Sequence, residues 1–386
     1  METPILHFTR EEFAARQKAA CAAMAEQGLD GLVMFRQESM HYLTGYDTSG
    51  YTMFQGLYLR ADGRLALLTR TADKDQSRVT SILDDIRLWY DRDGANPGED
   101  LRDMLESLGA RGKRIGIEYH AYGLTAQRGK MVDAAFDGFC ETVDASDLVR
   151  LLRLVKSPAE LIYVRKAGEL CDKVIEVSIA ETKPGVNCKA VYGRMFAAMM
   201  EAGGDPSASR WPIGAGPARY FGRYFTGDNI VGEEDNVTFE PAGNYRHYHA
   251  ASMYNIVLGK VDPRLTDMNK ACADAIDACH EVMRPGHTVG EVYDAHKRTF
   301  EKAGYGHAAL TACGYTMGAM YPPTWMDWPM FWTGNPQVIA PGMVYFLHMI
   351  LFDRGAGLAM CIGESAIVTE GAPERINHVP REVIAK

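Results

Sequence analysis

Apolar positions recur along this chain in two rhythms, and the change of rhythm divides it. As far as Val155, short apolar runs at Gly31–Phe35, Leu57–Leu59, Leu65–Leu68 and Lys113–Glu118 are separated by turn residues and helical patterns. Runs of this length and flank predict strands. Thr9 with Glu12 three residues on predicts a capped helix start, with Gly28 as the stop, and Asp100–Leu108 predicts another helix. Strands alternating with helices give an α/β domain, expected over residues 1–155.

From Lys156 the pattern lengthens. Ser157-Pro158-Ala159-Glu160 combines a cap, a first-turn proline and a capping-box glutamate, so a long helix is expected towards Ala180. Pro184-Gly185-Val186 ends it, and Lys189–Ala202 is a second helix stopped by Gly203-Gly204. The same order returns as Asp267–Met283, Pro285-Gly286 and Val289–Gly304. Two helix pairs, each followed by strands, predict an internally duplicated α+β domain over residues 156–386. Between the pairs, Phe239–Gly259 reads as a hairpin turning at Pro241–Asn244. Its polar cargo is unusual for a buried hairpin: Glu240 on the outgoing strand, then Arg246, His247 and His249 on the return. A carboxylate in an apolar strand has to be paired, hydrogen-bonded or functional, because desolvating it alone is too costly. His348 likewise stands in an apolar strand, Val344–Phe352. Met320–Trp332, carrying Trp325, Trp328, Phe331 and Trp332, fits neither period and reads as a loop lining a pocket or an interface. Aromatic faces of this kind also bind cations.

Composition narrows the classes. A chain of 386 residues, 47% hydrophobic and 24% charged, is expected to fold as two globular domains. A net charge of −9 argues against nucleic acid or an anionic membrane as partner and leaves a small-molecule substrate. The eight cysteines form no C-x-x-C pair, the N-terminus is charged at once, and no eighteen apolar residues run together. These features point to reduced thiols in a cytoplasmic protein.

The ordered set of VKSP with Glu160, helix, Pro-Gly, helix, hairpin, the helix pair again, Gly314-Tyr315-Thr316-Met317-Gly318, Pro341-Gly342-Met343 and the late Glu364 resembles the pita-bread superfamily. That group includes Xaa-Pro aminopeptidases, prolidases, creatinase and ectoine hydrolase. Met40–Tyr46 resembles its N-terminal domain, so the likeness covers nearly the whole chain. It implies a creatinase-type α/β N-terminal domain and an α+β pita-bread catalytic domain. The metallopeptidase branch holds two divalent metals through two Asp, one His and two Glu, positions that fall here on Glu240, Ala251, Tyr315, His348 and Glu364. A hard divalent pair needs several anionic oxygens. The resemblance therefore implies a site without metal or other cofactor, as in creatinase-like and ectoine-hydrolase-like members. A single metal on Glu240, His348 and Glu364 is the lesser alternative.

FEPAGNYRHYH and GYTMGAMYPPTW bring the chain nearest to ectoine hydrolase. The matching glutamate there attacks a ring amidine carbon, which proposes Glu240 as nucleophile or base. Glu364 is expected beside it, the two carboxylates splitting their pKa values into acid and base. His348 and His249 are expected to move protons, and His247 to touch substrate. Tyr254 stands where that family carries an arginine, and Arg223 is the expected replacement clamp for a substrate carboxylate. Tyr315 and Trp325 are expected to line the substrate. Tyr51 is expected to reach the site from the second chain of a homodimer. The implied function is metal-independent hydrolysis of a C–N bond in a small zwitterionic or cationic metabolite, ectoine-like or creatine-like. The alternatives are a lyase acting on an onium osmolyte, a divalent-metal Xaa-Pro peptidase-like enzyme, and a non-catalytic binding member.

Overall fold

The structure is a computed structural model in which residues 4–220, 222–223 and 226–386 are described. The chain forms two compact units, Met1–Arg153 and Leu154–Lys386. Among the described residues no helix is long and apolar enough to cross a membrane. All eight cysteines are unpaired, six of them buried.

The first unit is a six-stranded sheet. Its strands are β1 (Gly31–Met34), β2 (Gly56–Arg60), β3 (Leu65–Arg70), β4 (Asp85–Trp89), β5 (Arg114–Ile117) and β6 (Glu141–Asp144), in the order β4-β3-β2-β1-β5-β6. Alternate residues feed two cores: Val33, Tyr58, Ala66 and Leu68 on one face, Leu32, Met34, Leu57, Leu59 and Leu67 on the other. A sheet buried on both faces needs helices on both. The helix Arg10–Glu26 supplies one, with the Thr9 side chain accepting from the Glu12 N–H as its sequence promises. The two strands without an apolar run, β4 and β6, are the sheet's edges, where charged side chains discourage further pairing.

In the second unit the helix Pro158–Glu181 has both halves of its Ser157/Glu160 capping box. It packs on the helix Cys188–Glu201, and Pro263–Val282 packs on Val289–Lys302 in the same way. A four-stranded sheet has the order β17 (Ile384–Ala385), β11 (Tyr254–Leu258), β8 (Asp235–Phe239), β7 (Ile213–Gly214). A five-stranded sheet runs β13 (Asp327–Met330), β12 (Gly314–Thr316), β14 (Val344–Asp353), β15 (Leu358–Ile367), β16 (Glu374–Arg375). The short strand β13 lies inside Met320–Trp332, so that segment is not all loop.

The central hairpin is longer than its sequence suggests and turns elsewhere. β8 pairs with β11 at its base, and β9 (Ala242–Tyr245) pairs with β10 (Tyr248–Ala251) at its tip. The reversal is at Arg246 and His247, both with positive φ (49° and 69°). Two such residues in succession form the mirror-image turn that suits strand twist, although Gly and Asn are its usual occupants. Gly243 is not a turn residue. It is a strand residue pressed so closely on the Pro158–Glu181 helix that a Cβ there would collide with the Ala167 carbonyl. Glu240 and Pro241 form the break between the two ladders. The Glu240 N–H donates to Pro212 O at 2.9 Å, and Pro241 has no N–H to give. Glu240 therefore stands just past β8, where the chain changes sheets and a side chain can leave the core.

Candidate active site

A cavity of about 760 Å³ opens beside this break. Glu240, Arg223, Arg210, Tyr315, Trp325, Met253 and His348 are in its wall, and Glu240 is the one carboxylate there among the described residues. Burial raises the Glu240 carboxyl to about 7, while the Arg223 charge and a hydrogen bond from Tyr315 pull the other way. Trp325 Nε1 donates to Tyr315 Oη at 2.8 Å, so Trp325, Tyr315 and Glu240 form a donor chain ending on the carboxylate. The Tyr315 phenol is raised well above its ordinary value by burial and by the Glu240 charge, so it remains a donor. The cavity thus holds an acid near its midpoint at neutral pH, oriented by a buried phenol, which is what general-base or nucleophilic work requires.

His348 lines the same cavity from β14, with Ile350 and Phe352 at the alternate positions of that strand. Its Nδ1 is buried and has no hydrogen-bond partner among the described residues. Burial, then His296, lowers its pKa to about 4. It is a neutral imidazole at physiological pH and not a proton carrier titrating there.

Glu364 is not beside Glu240, which corrects the expectation of a catalytic carboxylate pair. It lies within β15, not ahead of a strand, and the register explains its placement. His348 pairs with Gly363, and Glu364 pairs with Leu347. Directly opposed residues share a face and neighbours alternate, so Glu364 projects to the face away from His348. On the cavity face the position is Gly363, where a Cβ would come within 2.7 Å of the Met253 Cβ and of the Phe346 ring. Glu364 is fully buried and meets an imidazole and two guanidinium groups: His280 Nε2 at 2.9 Å, Arg375 at 2.8 Å and Arg381 at 2.7 Å. Burial alone would raise its pKa. The bonds from His280 and Arg381 and the charge on Arg375 outweigh burial and bring it down to about 2. A carboxylate so held neither gives nor takes a proton near neutrality.

Four other expected residues are not in the described wall of this cavity. His249 is fully buried, with Nε2 accepting from the Ala208 N–H at 3.0 Å, and burial lowers it to about 3. It holds the cavity loop from behind and moves no proton. His247 occupies the turn, stacked on Tyr321 with ring centroids 4.0 Å apart. Tyr254 is core: its ring stacks on Phe239 at 5.3 Å and its hydroxyl bonds Ser178 at 2.5 Å. Tyr51 belongs to the first unit, buried in the turn Gly50–Thr52. Arg223, Tyr315 and Trp325 do line the cavity with Glu240 and His348. Arg210 joins them unforeseen, since its loop (GGDPSASRWP) carries no periodicity and no motif.

The donor set does not suit a divalent metal pair. Among the described residues no three His, Cys, Asp or Glu side chains come together as an ion would need. Ala251 is buried in the hairpin, its backbone N–H and C=O both bonded to Ser365 Oγ at 2.9 Å.

The family model described as metallopeptidase family M24 matches residues 163–370, and the creatinase/prolidase N-terminal domain matches 16–155. The chain belongs to metallopeptidase family M24. Within that family it is 26% identical over 398 residues to the ectoine hydrolase of Halomonas elongata, covering 99% of each chain. It is 25% identical over 392 residues to the probable dipeptidase PepE of Mycobacterium tuberculosis, covering 98% of this chain and 97% of that one. The prolidase of Thermococcus sibiricus superposes with a TM-score of 0.87 at 18% identity, covering 98% of this chain and 100% of that one. The dipeptidase PepE of Mycobacterium ulcerans gives 0.84 at 22%, covering 98% and 99%. Both share the two-part architecture: the M24 pita-bread domain behind a creatinase-type N-terminal domain. The family makes this chain a hydrolase relative, and the proteins it resembles include a probable dipeptidase as well as an ectoine hydrolase.

Proposed function

We propose that the protein hydrolyses a C–N bond other than a peptide bond in a small zwitterionic or cationic metabolite, with Glu240 as base or nucleophile and without metal. The carrying observation is Glu240, the one carboxylate in the cavity wall among the described residues, raised to about 7 and bonded by Tyr315. As a base, the ionised carboxylate takes one proton from water while the water oxygen bonds to the substrate carbon. The C–N bond then breaks as the nitrogen takes that proton back from Glu240. One carboxylate serves both transfers, so no second acid is required.

The sign of the pH dependence follows. Glu240 must be ionised to accept the proton, so kcat/KM is expected to rise with pH through about 7 and level off. Tyr315→Phe removes a bond that lowers the Glu240 pKa, so the midpoint should move upward. A rate falling as pH rises through that value would make Glu240 an acid instead.

Function is tested by screening small nitrogenous solutes by thermal shift, then following products of those that stabilise the fold. Purified enzyme is expected to turn over its substrate after chelation and to lack stoichiometric metal by elemental analysis. Activity that disappears on chelation and returns with a divalent ion overturns the metal-free reading in favour of a peptidase-like enzyme. An alkene product without solvent oxygen indicates a lyase, and tight binding without turnover a binding member. A homodimer, with Tyr51 of one copy reaching the cavity of another, belongs to the same proposal. Light scattering that returns the mass of a single chain would overturn that part.

A further inference from the structure

Outside the catalytic cavity, a groove of about 600 Å³ lies at the tip of the β14–β15 hairpin. His307, Asp353 and Arg354 are its polar lining, and Leu310 and Phe352 line both the groove and the catalytic cavity. The two spaces therefore meet at two apolar side chains. β14 runs from one to the other, with His348, Ile350 and Phe352 at alternate positions along the cavity wall. Four residues of strand put His348 and Phe352 about 13 Å apart.

The charged groups of the groove are held in place. Asp353 Oδ1 accepts from the Ala356 N–H at 2.9 Å, a bond that keeps the carboxyl below its ordinary value. The Arg354 guanidinium lies over the Tyr220 ring at 5.0 Å and the Phe352 ring at 5.9 Å. Stacking of this kind orients a guanidinium without neutralising it. Among the described residues no carboxylate pairs with Arg354, and Asp353 is 3.7 Å from His307 Nε2. Two adjacent residues of opposite charge are thus fixed side by side without pairing with each other. A ligand that carries both an ammonium and a carboxylate satisfies Asp353 and Arg354 together, whereas a ligand with one charge gains one contact. The apolar junction at Leu310 and Phe352 then suits an uncharged methylene arm, whose far end arrives at His348 and Glu240.

We propose that the hairpin-tip groove is a subsite for an α-amino-acid head group, and that the substrate class is an ω-N-acylated amino acid whose amide reaches Glu240 through a methylene arm along β14. The subsite stands on binding alone, and the fate of the amide rests on the hydrolase reading. In that reaction the water oxygen bonds to the acyl carbon, the C–N bond breaks, and the ω-amine leaves with the proton passed on by Glu240.

The test uses the full chain and four probes that share one acetamide group. Nε-acetyl-lysine carries both charges, ω-acetamidohexanoate the carboxylate alone, N-acetylcadaverine the ammonium alone, and N-butylacetamide neither. Calorimetry is expected to show Nε-acetyl-lysine binding about tenfold or more tighter than either singly charged probe, an advantage that shrinks at high salt. Arg354→Gln should bring its affinity down to that of N-acetylcadaverine, and Asp353→Asn to that of ω-acetamidohexanoate. Arg354 is exposed, and asparagine keeps the oxygen that accepts from Ala356, so both variants should fold like wild type. A singly charged or neutral probe that binds as tightly as Nε-acetyl-lysine overturns the proposal. So do variants that bind Nε-acetyl-lysine like wild type, or a wild-type protein that does not bind it. Binding with the expected dependence on both residues, and no C–N compound ever turned over, would keep the subsite and sink the hydrolase reading alone. Turnover of a compound without an α-amino-acid head, unchanged in both variants, would sink the subsite and leave the hydrolase reading.

Discussion

Glu240→Gln is expected to lower kcat by about a thousandfold, within the range that a positioned acid–base group supplies. The substitution keeps the size and the hydrogen-bonding capacity of the side chain and removes only the ability to hold a proton reversibly. It should not unfold the protein. Because the folded pKa of about 7 lies above the ordinary 4.5, the fold favours the protonated carboxyl. That contribution is present below the ordinary value and is lost as pH rises through the folded one. A glutamine imitates the protonated form at every pH. Melting temperatures of variant and wild type should therefore agree below the ordinary carboxylate value, separate as pH rises from there to about 7, and leave the variant melting higher above it. A variant that turns over at the wild-type rate removes Glu240 from the chemistry.

Glu364→Gln should do the reverse, costing stability and leaving the chemistry in place. Glu364 has no contact with solvent, neutralises Arg375 and Arg381, and meets the His280 ring. Arg381 also pairs with Asp277, so the carboxylate ties the C-terminal stretch to the helix Pro263–Val282. Removing one member of a buried ionic cluster costs about 3–5 kcal/mol, because the remaining charges stay desolvated. The pKa gives an independent figure of the same size. A carboxyl lowered from 4.5 to about 2 stabilises the fold by about 3 kcal/mol above its ordinary pKa. That stabilisation is lost as pH falls from the ordinary value through about 2. Chemical denaturation at neutral pH measures the first quantity, and acid titration of the melting temperature the second. A variant of wild-type stability with kcat abolished would restore Glu364 to the reaction.

The contrast between these two glutamates shows what could be read in the sequence. Helix starts were legible because caps are local: Thr9 and Ser157 each accept from the backbone N–H three residues on. Glu240 was legible because a carboxylate beside an apolar strand is costly wherever it stands. Glu364 was misread because strand phase decides which face it joins, and phase depends on a register set by Gly363 against His348. Its partners come from positions 280, 375 and 381, which no motif connects. The hairpin turn was misplaced for a related reason. Gly243 and Asn244 carry the usual turn chemistry, but Gly243 is required by a close helix and the reversal falls on Arg246 and His247. Arg210 had no local signal, since a loop arginine acquires meaning only when the fold brings it into one cavity with Arg223 and Glu240.

The contact of Gly243 on the Pro158–Glu181 helix has an evolutionary consequence. The hairpin that carries the reactive carboxylate is seated flush against a helix, leaving no room for even a methyl group, so drift there is heavily penalised. The facing residues at 207–210, 222–223 and 322–324 lie outside regular strands and helices, in the kind of segment that varies most readily. Descendants of this scaffold are thus free to change what they recognise by editing one side of the cavity while inheriting the other unaltered.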